Sequence, residues 1–291
     1  MNALQPAKHT LLDYAVVVIG WVALVGASHA GSYLPTDDQL AALQELSEVF
    51  TPPAEEDEID VNQMQTQPLG EILDLDPGDE RVDDPYFAVG DMLFEAETAV
   101  ASGGLAANTW TGGRVYYTFG TTITNNNWKD LWRRAARIWE TGAKIEFIEL
   151  NASELPSHPN FVTVIKIPGN ASYSEIGEGN YYVAIAKWSL PILLHEMGHV
   201  LGLIHEHQRS DRNVYVRVGS CVRPDDCKLE RASINVTPYD FDSLMHYSKD
   251  QQGTDTIVPL PPNTHKGSTI GKATRPSEKD RRAIHWAYGR R

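Results

Sequence analysis

The pattern of apolar and polar residues changes along the 291-residue chain. From about residue 108 onward, β-rich runs alternate with runs of helical spacing, which predicts a domain of the α+β class. Helices are expected over residues 128–141 and 277–288, and a third is expected to begin near Ser189, with Pro191 tolerated in its first turn. The predicted strands are residues 114–119, 144–150, 161–167 and 181–186.

The N-terminal residues have the pattern of a secretory signal. A short apolar run over residues 14–26 follows Lys8, and small residues precede a cleavage site after Ala30. The run is too short to span a bilayer comfortably, although an uncleaved membrane anchor is the alternative. We therefore expect residues 1–30 to be a signal peptide and the mature protein to be secreted, extracellular and free of the membrane.

Charge divides the remaining chain into two segments. Residues 31–107 contain 19 acidic residues and one base, Arg81, whereas residues 108–291 contain 19 acidic and 23 basic residues. Such an asymmetry is typical of a masking segment, and a solvated, disordered acidic stretch is the alternative. A short helix is expected within the acidic segment over residues 38–50, where leucines and a valine recur at near-helical spacing.

Cysteines and sequons agree with export. Cys221 and Cys227 would close a small loop in an oxidising compartment and stabilise the fold by about 2 kcal/mol, with free thiols as the alternative. Glycosylation sequons begin at Asn151, Asn170 and Asn235.

The candidate chemistry lies in His195-Glu-Met-Gly-His-Val-Leu-Gly-Leu-Ile-His205. His195 and His199 are four residues apart, so both imidazoles leave the same face of a helix. Glu196 lies one step round that helix, close to a shared metal without competing as a ligand. Gly202 can adopt the left-handed conformation that ends a helix, which lets His205 approach the same point from another direction.

Three neutral imidazoles leave one coordination position open for water, which is the arrangement of a catalytic zinc site. Zinc lowers the pKa of bound water to about 7 and polarises a carbonyl oxygen. Glu196 would take the water proton as general base and pass it to the leaving amine. A helix with surface histidines is the alternative, but the full spacing with a glycine and a third histidine favours zinc.

These residues resemble those of the metzincin peptidases, which share the long histidine motif and a later methionine turn. The segment Ser243-Leu-Met-His-Tyr247 matches that turn. Glu206, Arg209 and Tyr247 are similar to residues of the astacin family in particular. The resemblance covers roughly residues 108–288 and implies a two-lobed fold of the α+β class, with the substrate extended across the cleft along an edge strand.

The resemblance also implies roles for single residues. Tyr247 would be a fifth zinc ligand that swings away and helps to stabilise the tetrahedral intermediate. Met245 would lie beneath the zinc site, and ordinary core packing is the alternative for this residue. Glu206 would meet the new N-terminus after activation.

Astacin zymogens keep their latency through a Phe-x-Gly-Asp motif whose aspartate binds the zinc in place of water. Phe87-Ala-Val-Gly-Asp91 is similar, with one extra residue, so Asp91 is the candidate zinc ligand of the zymogen. A simple turn at Gly90-Asp91 is the alternative. The chain departs from the family at Gly142, where a cysteine is expected, and at Asn213, where an aspartate is expected.

Together these features predict three parts: a signal peptide (1–30), an acidic prosegment (31–107) and a catalytic domain (108–291). The expected function is zinc-dependent hydrolysis of internal peptide bonds, with one catalytic Zn²⁺, protein or peptide substrates, an activating protease and no nucleic-acid partner. The alternatives are a secreted zinc-binding protein without enzymatic activity and a metzincin of another subfamily, such as a matrixin-like enzyme.

Overall fold

The computed structural model describes residues 67–75, 81–89, 92–95, 109–219, 234–251 and 254–291. All of them fall within one structural unit, Glu56–Arg291. The signal peptide, the helix expected over residues 38–50, Asp91 and both cysteines lie outside the described residues. What the sequence indicates for them therefore stays a prediction.

The described part of the acidic segment forms a small sheet and a short helix. Strands β1 (Gln67–Pro68), β2 (Pro85–Val89) and β3 (Met92–Glu95) pair antiparallel in that order, and helix α1 (Leu69–Leu73) follows β1. Leu69 and Leu73 are buried in α1. They pack in an apolar cluster with four residues from later in the chain, Ile165, Ile167, Ala184 and Ala186. This part of the segment is thus docked on those residues rather than solvated.

Four parallel strands form the main sheet. They are β4 (Arg114–Phe119), β5 (Glu146–Glu149), β6 (Phe161–Lys166) and β7 (Asn180–Ile185), in the order β5-β4-β6-β7. β5 begins two residues later than predicted because the preceding residues bond elsewhere. Ala143 forms an antiparallel bridge with Arg290, and the Lys144 amide donates to the Gly289 carbonyl.

Helices α2 (Asn126–Glu140) and α3 (Leu190–Val200) pack against each other beside this sheet. α2 begins two residues earlier than predicted because the Asn125 side chain accepts from the Asn127 amide and caps the helix. The Trp139 indole of α2 donates to the Leu194 carbonyl of α3 at 3.0 Å. This buried contact holds the turn that contains His195 against α2.

α3 ends where the histidine motif contains its second glycine. Gly202 has φ of 96°, in the left-handed region, and its amide donates to the His199 carbonyl at 2.7 Å. The Trp110 indole donates to the Val200 carbonyl, which satisfies one of the last carbonyls of the helix. The chain therefore reverses sharply just before His205.

The remaining described residues, 201–219, 234–251 and 254–291, form a more irregular second lobe. It contains β8 (Val216–Val218), β9 (Asp250–Gln251), β10 (Thr254–Asp255), β11 (Ile257–Pro259) and α4 (Glu278–Tyr288). β8 pairs antiparallel with β11 over a small core that includes Val216 and Ile257. The predicted α+β class is confirmed. No described helix is long and apolar enough to cross a membrane.

Candidate metal centre

The three histidines of the motif converge on one point. His195 and His199 project from α3, and His205 enters after the reversal at Gly202. Their ring centroids lie 4.8 to 5.4 Å apart, and one ring nitrogen from each lies within 4.8 Å of the others. His199 and His205 are buried and His195 is partly buried. The cluster therefore has the spacing that one shared metal ion requires.

Each histidine is oriented by a hydrogen bond from Nδ1. His195 donates to the Leu244 carbonyl at 2.9 Å, His199 to the Leu203 carbonyl at 2.7 Å and His205 to Oε1 of Gln208 at 2.7 Å. These oxygens only accept hydrogen bonds, so each Nδ1 carries a proton, and in the neutral imidazole each Nε2 would then keep a lone pair. Three neutral imidazoles held in this way fit a zinc ion.

Glu196 lies beside the histidines in an open cleft. Its side chain is 2% exposed. With His195 and Tyr247, it lines a cleft of about 350 Å³ between the start of α3 and residues 244–248. A buried carboxylate at the wall of a cleft can exchange a proton with a molecule bound there.

Tyr247 and Met245 flank the cluster from the second lobe. The Tyr247 ring centroid lies 4.3 Å from that of His205 and 4.5 Å from that of His207. Met245 packs beneath α3, since a Cβ added at Gly198 would lie only 2.5 Å from the Met245 sulfur. The glycine inside the histidine motif thus leaves room for this methionine, which the sequence pattern alone did not reveal.

His246 was not singled out from the sequence, yet it is 3% exposed between two tyrosines. Its Nδ1 donates to the Tyr247 carbonyl at 2.7 Å, and the Tyr239 hydroxyl donates to its Nε2 at 2.8 Å. Burial lowers the pKa of His246 to about 4. His246 is therefore neutral at neutral pH and holds the backbone of the tyrosine next to the cluster.

Glu206 lies next to the third histidine and is also buried. It forms an ion pair with Arg209 at 2.9 Å and accepts from the Asp240 amide at 2.6 Å. Burial raises the pKa of Glu206 to about 8, against the opposing effect of the Arg209 charge. The carboxylate is thus less stable than in water, and a further cation nearby would stabilise it.

Comparison with known proteins agrees with this geometry. Residues 104–289 match the family model Astacin, which describes a family of peptidases. The hatching enzyme zinc-protease HCE-1 (high choriolytic enzyme 1) of Oryzias latipes matches with a TM-score of 0.53 at 27% identity, covering 63% of this chain and 94% of that structure. The match confirms the fold expected from the resemblance and argues against the matrixin-like alternative.

Two curated relatives are similar over the same region. The zinc metalloproteinase nas-39 of Caenorhabditis elegans is 32% identical over 194 residues, which are 62% of this chain and 20% of that protein. The astacin-like metalloendopeptidase of Gallus gallus is 31% identical over 173 residues, 54% of this chain and 40% of that protein. This chain thus spans only part of either relative. By its family-model match and its sequence, it belongs to the astacin family of zinc metalloendopeptidases.

Proposed function

We propose that this chain is a secreted zinc endopeptidase made as a zymogen, with zinc held by His195, His199 and His205. The observation that carries the proposal is the set of three imidazoles, each oriented through Nδ1, beside the buried carboxylate of Glu196. Signal peptide, prosegment and catalytic domain would occupy residues 1–30, 31–107 and 108–291.

Two side chains would carry the proton and charge changes of hydrolysis. Zinc bound at this site would lower the pKa of a water molecule and polarise the scissile carbonyl. Glu196 accepts the proton of the attacking water and returns it to the leaving amine. Tyr247, which would also be the movable fifth ligand, would donate its phenol hydrogen to the oxyanion, a kind of contact worth about 3 kcal/mol in other hydrolases.

The substrate would be a protein or peptide bound in an extended conformation. Tyr173 pairs antiparallel with Ala184 of β7 through two backbone hydrogen bonds of 2.8 and 2.9 Å. The segment around Tyr173 therefore covers the edge of β7 and becomes the new edge of the sheet. An extended peptide adding to that edge would run towards the cleft, and its main chain would supply sequence-independent affinity.

Latency would come from the acidic prosegment. The burial of Leu69 and Leu73 against the catalytic domain supports this role, because it attaches the segment to the domain. Arg81 strengthens the attachment, since its guanidinium donates to the Asn180 carbonyl at 2.8 Å. Asp91 would occupy the zinc position reserved for water until an activating protease removes the segment.

Several finer features complete the proposal. After activation, the new N-terminal ammonium would approach Glu206, whose buried charge it would stabilise. Cys221 and Cys227 would pair. Glycans would be carried by the exposed side chains of Asn151, Asn170 and Asn235.

A peptide-library assay of the activated chain tests the proposal. We expect cleavage at internal bonds, loss of cleavage with a zinc chelator and recovery when zinc is restored. Trimming of terminal residues alone would contradict endopeptidase activity. A chain that binds zinc but cleaves nothing would instead support the alternative of a zinc-binding protein without enzymatic activity.

A further inference from the structure

A carbonyl group of the methionine turn helps to orient His195. Its Nδ1 donates to the Leu244 carbonyl, 49 residues further along the chain. This carbonyl and the Met245 N–H belong to the same planar peptide unit. Whatever holds the Met245 N–H therefore also sets the direction of the Leu244 oxygen. The Met245 amide donates to the Ser243 hydroxyl at 2.9 Å.

One carboxylate on α4, that of Asp280, bonds to both residues that precede this peptide bond or contribute to it, Ser243 and Leu244. Asp280 accepts from the Ser243 hydroxyl at 2.7 Å through Oδ1 and from the Leu244 amide at 2.9 Å through Oδ2. The side chain is 6% exposed, so water does not compete strongly for these bonds. The carboxylate thus bonds to two consecutive residues of the turn, Ser243 and Leu244. The second of them carries the carbonyl that accepts from His195.

We propose that Asp280 is a positioning residue for the zinc ligand His195, acting through the Ser243–Met245 backbone. The inference rests on the proposed zinc site and extends it into α4, far beyond the histidine in sequence. A hydrogen-bonded peptide group keeps the imidazole in its metal-binding tautomer and direction. Removing Asp280 takes away the acceptor shared by the Ser243 hydroxyl and the Leu244 amide, so the Leu244 carbonyl is held less firmly and the direction of His195 is less well fixed.

A purely structural role must be separated from this one. Asp280 also belongs to the capping box of α4, since it accepts from the Ser277 amide at 2.8 Å while its own amide donates to the Ser277 hydroxyl at 2.9 Å. Ser277→Ala breaks the cap but leaves the contacts of Asp280 with the methionine turn. It is therefore the matched control for loss of helix capping.

Asp280→Asn provides the conservative variant. An amide oxygen can still accept from the Leu244 amide, and the amide nitrogen can donate to the Ser243 hydroxyl, which reverses that bond without breaking it. Asparagine should therefore preserve the turn while removing the charge.

The test measures the zinc dissociation constant of the full chain by competition with a chromophoric chelator, with thermal unfolding recorded in parallel. Loss of groups that orient a ligand typically weakens metal affinity about 10–100-fold, and we expect about tenfold for Asp280→Ala because it acts one step further out. Asp280→Asn should recover most of the affinity. Ser277→Ala should lower the unfolding temperature while changing zinc affinity less than about twofold.

Equal zinc affinity in wild type and Asp280→Ala would overturn the inference and leave the zinc site intact. Equal loss in Asp280→Ala and Ser277→Ala would reduce Asp280 to a helix cap. If Asp280→Ala fails to fold, Ser243→Ala decides, because it removes the hydroxyl that links Asp280 to the Met245 amide. Zinc affinity equal to that of wild type in a folded Ser243→Ala chain would overturn the inference. A wild-type chain that binds no zinc would contradict the metal centre itself and this inference with it.

Discussion

The three histidines of the motif are held in place through one ring nitrogen and have the other as the candidate ligand atom. In His195, His199 and His205, Nδ1 donates to a protein oxygen and Nε2 is the candidate ligand atom. In His246 both nitrogens bond to protein groups, one of them the Tyr239 hydroxyl. Three histidines are thus candidate metal ligands, whereas His246 is a buried residue that links the Tyr239 hydroxyl to the Tyr247 backbone.

The burial of His246 should affect how the free energy of unfolding depends on pH. The folded pKa of His246, about 4, lies below the unfolded value of 6.5, so its contribution is fully present above pH 6.5 and is lost as pH falls towards 4. The loss amounts to about 3 kcal/mol at most. His246→Gln keeps a donor and an acceptor but cannot titrate, so the stability of the variant should fall less over this range. Urea unfolding of both chains between pH 7 and pH 4 measures the difference, and parallel pH profiles would contradict it.

At the scale of elements, the sequence pattern predicts those helix and strand boundaries that are set by residues close together in the sequence. The histidine spacing, the proline near Ser189 and Gly202 place α3 and its end correctly. The boundary errors have identifiable causes. The Asn125 cap moved the start of α2, and pairing of Ala143 with Arg290 shortened β5.

The sequence could not reveal the partners that orient the candidate ligands. Gln208 is only three residues after His205 and could have been found from spacing. The Leu244 carbonyl and Asp280 could not, because a backbone acceptor has no sequence signature and the carboxylate has the pattern of a helix cap. Long-range packing brings them together.

The docking of α1 is the clearest prediction at this scale. Leu73 is fully buried, so Leu73→Ala should weaken docking by about 2–5 kcal/mol. Backbone bonds tie α1 to Val82 and Asp84, so undocking exposes the neighbouring Arg81. Because Arg81 is the only base between residues 31 and 107, trypsin should cut there at least tenfold faster in the variant.

Mass spectrometry of timed digests measures this rate. Glu71→Ala is the matched control, since Glu71 is an exposed residue of the same helix. Equal cleavage after Arg81 in wild type and Leu73→Ala would show that α1 does not hold the segment.

Residues 31–107 and 108–291 carry opposite net charges, −18 and +4. Attraction between such charges acts over about 10 Å at 0.1 M salt and does not specify a register. Among the described residues, the buried leucines of α1 make a specific apolar contact with the main sheet. Arg291 is also tied to the end of α2, because its amide donates to the carbonyl of Gly142 at 3.1 Å, the position where the family resemblance leads one to expect a cysteine.

The proposed latency of the unprocessed chain depends on Asp91, which lies in the prosegment and would act on the zinc site. Asp91→Ala should raise the activity of the unprocessed chain, because the candidate ligand that excludes water from the zinc is gone. Asp83→Ala removes the same charge from an exposed position of the segment and should leave latency unchanged. Cleavage of a fluorogenic peptide by the uncleaved chains measures the effect. Equal latency in all three would remove Asp91 from the mechanism.

The central claim is that three histidines hold one zinc while Glu196 moves the proton, and one paired measurement tests it. Zinc content and peptide cleavage are determined together on activated wild type, Glu196→Gln and the exposed control Glu146→Gln. We predict one zinc per chain in all three, full cleavage by wild type and control, and a loss of about 10²–10⁴-fold for Glu196→Gln. Cleavage by Glu196→Gln at the wild-type rate, or equal inactivity of all three zinc-loaded chains, would contradict the account.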